Sequence, residues 1–259
     1  MNEEILIARR GGVQTLRFNR PAKKNAITRA MYSALAAGIA AGESNEDTGA
    51  HLFLSSNGIF TAGNDLADFM SGGGDHAHSP VVAFLEALVS ARKPLLAAVD
   101  GAAIGIGTTL LLHCDLVYTS PTAKLATPFL DLGVVPEAAS SLLLPQRAGH
   151  PVAFEMLCLG TPLNAERALA AGLINAIVPA DRLEGHALAA ATALAAKPRQ
   201  ALLISRRLMR GDAAVIRARM AEEFTHFAER LNSPEAKEAI SAFLEKRPPD
   251  FAGAAKRGV

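Results

Sequence analysis

KPLLAAVDGAAIGIGTTLLLHCD, residues 93–115, is the stretch from which the architecture can be read. Residues 95–99 form an apolar run too short for a helix, ending at Asp100-Gly101, the pattern of a buried strand entering a tight turn. Gly105 and Gly107 open a second apolar run, 108–112, which stops at His113-Cys114-Asp115. A strand, a glycine turn and a helix start leave several backbone N–H groups unpaired and close together. Such a place holds negative charge, either a bound anion or an oxyanion formed during a reaction.

Outward from this stretch the same theme recurs. Residues 5–9 and 13–18 flank Gly11-Gly12 and predict a β-hairpin. Thr28 is placed to cap a helix running to about residue 41, and residues 50–55 predict a strand closed by Asn57-Gly58. FTAGNDL, residues 60–66, is a second glycine turn, with Asp65 placed to cap a helix that begins near Leu66. Residues 81–91 carry Phe84, Leu85 and Leu88 at helical spacing, and residues 116–119 and 124–126 predict strands. Strand, glycine turn and helix thus appear twice, which points to a stacked or spiral α/β architecture rather than a simple open sheet. Residues 127–137 form an irregular apolar loop that carries Asp131 and Glu137. Short helices are expected at 140–147, 151–159 and 164–171, the last capped by Gly172, and a final strand at 173–178. Beyond residue 183 the pattern is helical. The expected division is a core of residues 1–182 and a helical region of residues 183–259 suited to oligomer contacts.

Composition removes whole classes of function. The chain has 259 residues, half of them hydrophobic, and a net charge of +1 with Lys and Arg dispersed. A sizeable core is affordable, and there is no electrostatic footprint for nucleic acid. Trp is absent and there are only two Tyr, which argues against a base-stacking platform. The window 95–112 is broken by Asp100 and three glycines and does not read as a membrane span. The acidic start carries no signal-peptide pattern, and the two cysteines, Cys114 and Cys158, have no metal or redox spacing. The expectation is a cytoplasmic protein with reduced thiols and no bound metal. His76 and His78, in the polar loop 71–79, have no third ligand nearby in sequence.

Other motifs fall short. In Gly105-Ile106-Gly107 the third glycine of a dinucleotide fingerprint is replaced by Leu110, and no acidic residue follows about twenty positions on. His113-Cys114-Asp115 has the atoms of a thiol nucleophile, but adjacent residues on one element do not face each other. It reads as a helix end feeding the next strand.

Four stretches together resemble the crotonase superfamily, the enoyl-CoA hydratase/isomerase family: NRPAKKNAIT (19–28), FTAGNDL (60–66), AAVDGAAIGIG (97–107) and LGVVPEAASS (132–141). AERALAAGLINAIVP (165–179) and AISAFLEKR (239–247) add to the likeness, which spans nearly the whole chain. The resemblance implies a spiral of ββα turns with a C-terminal helical region, an acyl-CoA thioester substrate with no separate cofactor, and a homotrimer or dimer of trimers. Two backbone N–H groups would hold the thioester oxygen, by motif position those of Ala62 and Ile106. CoA contacts carry over onto Lys24, Ala26, Ala62, Asn64, Asp65 and Leu66, and onto Phe243 and Lys246 near the C-terminus.

One departure bears on the reaction. Hydratases of the family use two glutamates, and here those positions hold Thr109 and Phe129, neither of which exchanges protons near neutral pH. Glu137 remains. A carboxylate there resembles the base of one branch of Δ3,Δ2-enoyl-CoA isomerases and of ring-opening epoxyacyl-CoA isomerases. The expectation is an isomerase with Glu137 as single acid/base and Asp131 as reserve. The alternatives are hydration or other crotonase-type chemistry, and a non-catalytic acyl-CoA-binding protein. Glu137 is also well placed for a purely structural role, as a carboxylate at a helix N-terminus.

Overall fold

The computed structural model describes residues 3–71, 79–245 and 247–257. β1 (Ile5–Arg10) turns back through Gly11-Gly12 onto β2 (Val13–Phe18), antiparallel, with Arg10 opposite Val13. After a 3₁₀ turn at Pro21–Lys23, Thr28 caps α1 (Arg29–Ser44), its Oγ1 accepting the Met31 N–H at 3.2 Å. β3 (Ala50–Ser55) follows, then α2 (Leu66–Ser71), capped as expected by Asp65, and α3 (Pro80–Ser90), capped by Ser79. The central stretch supplies β4 (Leu95–Val99), β5 (Ala102–Ile104) and α4 (Ile106–Thr109), which continues as a 3₁₀ turn over Leu110–His113. β6 (Leu116–Thr119), β7 (Lys124–Ala126), α5 (Ser140–Leu157), β8 (Leu163–Asn164), α6 (Ala165–Ala170) and β9 (Ala176–Ile177) complete the strands. The remainder is helical: α7 (Ala180–Ala195), α8 (Arg199–Arg210), α9 (Ala213–Leu231), α10 (Pro234–Glu245) and α11 (Phe251–Arg257).

From β4 to β7 successive strands alternate between two sheets, and this makes the spiral. One sheet has the order β1-β2-β3-β4-β6-β9, parallel apart from the β1–β2 pair. The other has the order β5-β7-β8, and single parallel bridges set Thr61 beside Ala103 and Ile27 beside Asn64. Each turn therefore gives a strand to the first sheet, a short rung to the second, and then a helix. β4 is buried along its whole length, which is why it reads as a continuous apolar run. Its alternate residues feed two cores: Leu95, Ala97 and Val99 join the main cluster with Phe18 and Phe53, while Leu96 and Ala98 join Leu52, Leu54 and α7 residues Leu183, Ala187 and Ala191. α7 thus covers the outer face of the first sheet.

The ends of the central stretch are tied together. Leu95 N–H donates to the Asp115 carboxylate at 2.8 Å, and Asp115 N–H donates to the Leu95 carbonyl at 2.7 Å. Arg206 of α8 closes the arrangement, donating from Nε to Asp115 at 2.7 Å and from Nη1 to the Ala91 carbonyl at 2.5 Å.

Several elements differ from expectation. β5 is not anticipated from the sequence, because three residues after Gly101 are too few to show a period. The strand expected over 173–178 is only two residues long, since Leu173 and Ile174 are buried in the core without joining the ladder. α5 runs across the two helices expected at 140–147 and 151–159, broken at Gly149 (φ 78°, ψ 159°). Among the described residues, no helix is long and apolar enough to cross a membrane, and no group of three His, Cys, Asp or Glu side chains is placed to hold a metal ion. His76 and His78 lie outside the described residues.

Candidate active site

The two glycine bends stand side by side because the second sheet pairs them. Thr61 N–H donates to the Ala102 carbonyl and Ile104 N–H to the Thr61 carbonyl, both at 3.0 Å. The contact is tight. A Cβ on Gly63 would lie 2.9 Å from the Ile104 carbonyl oxygen, and one on Gly107 would lie 2.4 Å from Thr61 Cγ2. Gly105, at φ 55° and ψ −119°, adopts a backbone conformation open to glycine alone, and it starts α4 so that Ile106 is the first residue of the helix.

The amide at the first bend is not the expected one. Ala62 N–H donates to the Lys24 carbonyl oxygen at 3.0 Å and is therefore spent. Asn64 replaces it. Ile27 engages Gly63 and Asp65 on either side of Asn64, through Ile27 N–H to the Gly63 carbonyl and Asp65 N–H to the Ile27 carbonyl. In a parallel bridge of this kind the middle residue's own N–H faces away from its partner strand. Among the described residues, neither Asn64 N–H nor Ile106 N–H has a hydrogen-bond partner. Both residues line one cavity of about 600 Å³. The Asn64 side chain is fixed separately by the buried Tyr32, whose hydroxyl donates to Asn64 Oδ1.

Ala26, Ala62, Asn64, Asp65, Leu66, Ile106, Asp131 and Glu137 all border this cavity. Lys24 does not; it is exposed with φ 52°, and the neighbouring Lys23 reaches the wall instead. Asp65 borders the cavity, but its carboxylate is committed to Arg20 Nη1 at 2.7 Å and to the α2 cap, and the Arg20 hydrogen bond holds it below the usual carboxylate range. Asp131 is exposed. Lys246 lies outside the described residues, and Phe243 falls on α10. Arg247, adjacent to Lys246 and not anticipated, borders the cavity while paired to Glu238 and Glu245 at 2.5 and 2.6 Å.

Glu137 stands where the large cavity meets a smaller apolar one of about 70 Å³, lined by Val81, Leu85, Met220, Phe224 and Phe227 among others. Its carboxyl group accepts one hydrogen bond, from Thr109 Oγ1 at 2.6 Å. Burial pushes its pKa up to about 7; the Thr109 bond opposes the shift and the charge of Glu223 adds to it. Thr109, where the resemblance implies a hydratase glutamate, thus orients the remaining acid. Phe129, at the other such position, is buried in the wall.

The backbone beyond Glu137 is unusual. Ala138 and Ala139 have φ of 60° and 56°, a left-handed pair that costs on the order of 1 kcal/mol per residue without glycine. Two distant elements hold it. His113 donates from Nε2 to the Ala138 carbonyl at 2.9 Å, and burial pushes its pKa down to about 4, so the ring is neutral. Glu223 of α9, buried, accepts the N–H groups of Ala139 and Ser141 at 2.6 and 2.9 Å. The trio at 113–115 is therefore structural: the Cys114 thiol is buried and pushed up to about 12. Nothing in the sequence marks Glu223, which lies 84 positions from the amide that it holds.

This geometry supplies a cavity of about 600 Å³, two amides without a partner among the described residues, and one carboxyl group that burial pushes up to about 7 beside apolar side chains. Residues 8–254 match the family model described as enoyl-CoA hydratase/isomerase. The chain is 35% identical over 251 residues to rat (Rattus norvegicus) enoyl-CoA delta isomerase 2, covering 94% of this chain and 64% of the relative, so it spans under two thirds of that protein's length. It is 31% identical to 2,3-dehydroadipyl-CoA hydratase of Escherichia coli K12, covering 96% of this chain and 99% of the relative. A crystal structure of an enoyl-CoA hydratase/isomerase from Pseudoalteromonas atlantica superposes with a TM-score of 0.92 at 40% identity, covering 96% of this chain and all of that one.

Proposed function

The chain belongs to the enoyl-CoA hydratase/isomerase family, and on that footing we propose that it moves the double bond of a 3-enoyl-CoA to position 2, with Glu137 as the single acid/base. The Glu137 carboxylate takes a proton from C2. The electron pair delocalises over C2 to C4 and the thioester, and the oxyanion is held by the Asn64 and Ile106 amides. Protonated Glu137 then returns the proton to C4, leaving the double bond between C2 and C3 and the carbonyl restored. Preorganised main-chain donors suit this charge, each contributing about 10²- to 10³-fold in rate, and a positioned base adds about 10²- to 10⁴-fold.

The observation that carries the reading is Glu137 itself: a buried carboxyl group lining both cavities, its pKa pushed up to about 7 by burial, hydrogen-bonded by Thr109. A base with a pKa near the working pH both accepts and returns a proton efficiently. Relatives named as isomerases and as hydratases match at similar identity, so the choice between them rests on the residues. Hydration asks for a second acid, and the positions that carry it in hydratases hold Thr109 and Phe129. Asp131 at the cavity's exposed edge is the group on which a hydratase reading would depend. The substrate's CoA portion would run past Lys23, Ala26 and Leu66. We expect a homotrimer or dimer of trimers in solution, for which Leu208 and Met209, side by side and exposed on α8, offer apolar contact surface.

The test is conversion of a 3-enoyl-CoA to the 2-enoyl product by wild type and by Glu137→Gln, with 2-enoyl-CoA hydration assayed in parallel. The expected result is a loss of at least 10²-fold in isomerisation with CoA affinity kept. Hydration outpacing isomerisation in wild type would replace this reading with the hydratase one. Acyl-CoA binding without proton exchange at C2 in deuterated water would replace it with a non-catalytic one.

A further inference from the structure

Glu223 is a buried acid with an uncommon set of partners. It sits on α9, and both carboxylate oxygens are taken by backbone N–H groups of the turn following Glu137: Oε2 by Ala139 at 2.6 Å and Oε1 by Ser141 at 2.9 Å. That turn contains the two left-handed alanines, a conformation that the local sequence does not favour and that outside contacts must impose. Glu223 and Glu137 border the same small cavity, whose other lining residues are mostly apolar.

We propose that Glu223 is a positioning residue for Glu137: it clamps the Ala138-Ala139 turn from α9 and keeps a negative charge beside the Glu137 carboxyl group. This rests on the reading of Glu137 as the acid/base. The clamp sets where the Glu137 side chain leaves the backbone, while Thr109 fixes where its carboxyl group points. The adjacent charge favours the protonated form of Glu137, which has to exist between taking a proton from C2 and delivering it to C4. The raised pKa of Glu137, to which the Glu223 charge contributes after burial, agrees with this arrangement.

The other groups facing the pair are few. Arg219 lies one turn before Glu223 on α9 and donates from Nη1 to Ser141 Oγ at 3.3 Å; burial raises the Glu223 pKa, and its hydrogen bonds to Ser141 and Ala139 and the Arg219 charge oppose that rise. Arg29 at the start of α1 borders the small cavity. Tyr32 on α1 feels the Glu137 charge, but burial keeps its hydroxyl protonated far above neutral pH. Thr109 contributes only its hydroxyl. His113, neutral, holds the Ala138 carbonyl.

The experiment measures kcat, KM and the pH dependence of kcat/KM for the double-bond shift in wild type, Glu137→Gln, Glu223→Gln and Glu223→Asp. Glu223→Gln places an NH₂ against one of two backbone donors and removes the charge. It is expected to lower kcat at least tenfold with KM within twofold, since small misplacements of a reacting group are costly. Its acid limb should move to lower pH. Glu223→Asp keeps the charge but is one methylene too short to span both amides, so it should lower kcat while leaving the limb at the wild-type position; it also serves if the Gln variant does not fold. Wild-type kcat in Glu223→Asp, or an unmoved limb in Glu223→Gln, overturns the proposal. The two readings fail separately: an inactive wild type or an active Glu137→Gln sinks the isomerase assignment, whereas a normal Glu223→Gln beside a dead Glu137→Gln sinks only this one.

Discussion

Thr109 Oγ1 donates to Glu137 Oε1 across 2.6 Å, from the last residue of α4 to the acid at the junction of the two cavities. The hydroxyl stabilises the carboxylate, so it lowers a pKa that burial raises. Thr109→Val keeps the shape and removes the donor. The Glu137 pKa should then rise above about 7, and the acid limb of kcat/KM should move to higher pH. A one-unit shift costs about tenfold in activity below the limb and nothing well above it. Loss that persists at pH 9 would show that Thr109 acts in another way.

Stability should respond to the same group with a definite sign. Glu137 binds its proton more tightly folded, with a pKa of about 7, than unfolded, near 4.5. Between those values the native state holds more protons than the unfolded chain, so this residue's contribution falls as pH rises. Glu137→Gln removes the penalty. At pH 8 it should be more stable than wild type by up to about 3 kcal/mol, and the gap should close at pH 4. Denaturant melts at the two pH values check this.

Gly105 has open space where a Cβ would go, so a methyl group there meets no neighbour. Its backbone angles are the obstacle. Gly105→Ala should therefore cost about 1–3 kcal/mol in strain and turn the Ile106 amide away from the cavity, lowering kcat by about 10²-fold. Normal turnover in a destabilised variant would remove the Ile106 amide from the mechanism.

Arg206 is buried and joined to Asp115 and to the Ala91 carbonyl. Arg206→Met fills similar space but takes this donor from the Ala91 carbonyl and leaves the Asp115 carboxylate with the Leu95 N–H alone. Breaking a buried pair from one side typically costs about 3–5 kcal/mol, to be read as a lower denaturant midpoint with an unchanged slope.

Much of this was legible in the chain. The caps Thr28 and Asp65 lie next to apolar periodicity, and strand β4 announces itself because burial on both faces leaves no polar residue within it. Ile106 and Glu137 were locatable by motif. What escaped depends on partners remote in sequence. Ala62 and Asn64 both flank Gly63, and only the hydrogen bond to Lys24 distinguishes the spent amide from the free one. Lys23 and Lys24 are likewise separable only by the turn that directs one to the cavity and the other to solvent. β5 is too short to carry a period, and Glu223 on α9 looks like any helical glutamate until the fold brings α5 to it. A signal in plain view was Thr109, a polar residue in an apolar run, whose value lay in the acid that it meets.

Leu95 and Asp115 bond each other in both directions, twenty positions apart, so the intervening segment leaves one rung and returns to it. A loop closed at its own base inherits its shape from within. On the reading proposed above, replacements at residues 109, 129 or 137 would change what chemistry is attempted while the Ile106 amide, inside the closed loop, keeps its place. Such a scaffold can be re-tailored from one acyl-CoA reaction to another by swapping acids around a fixed anchor.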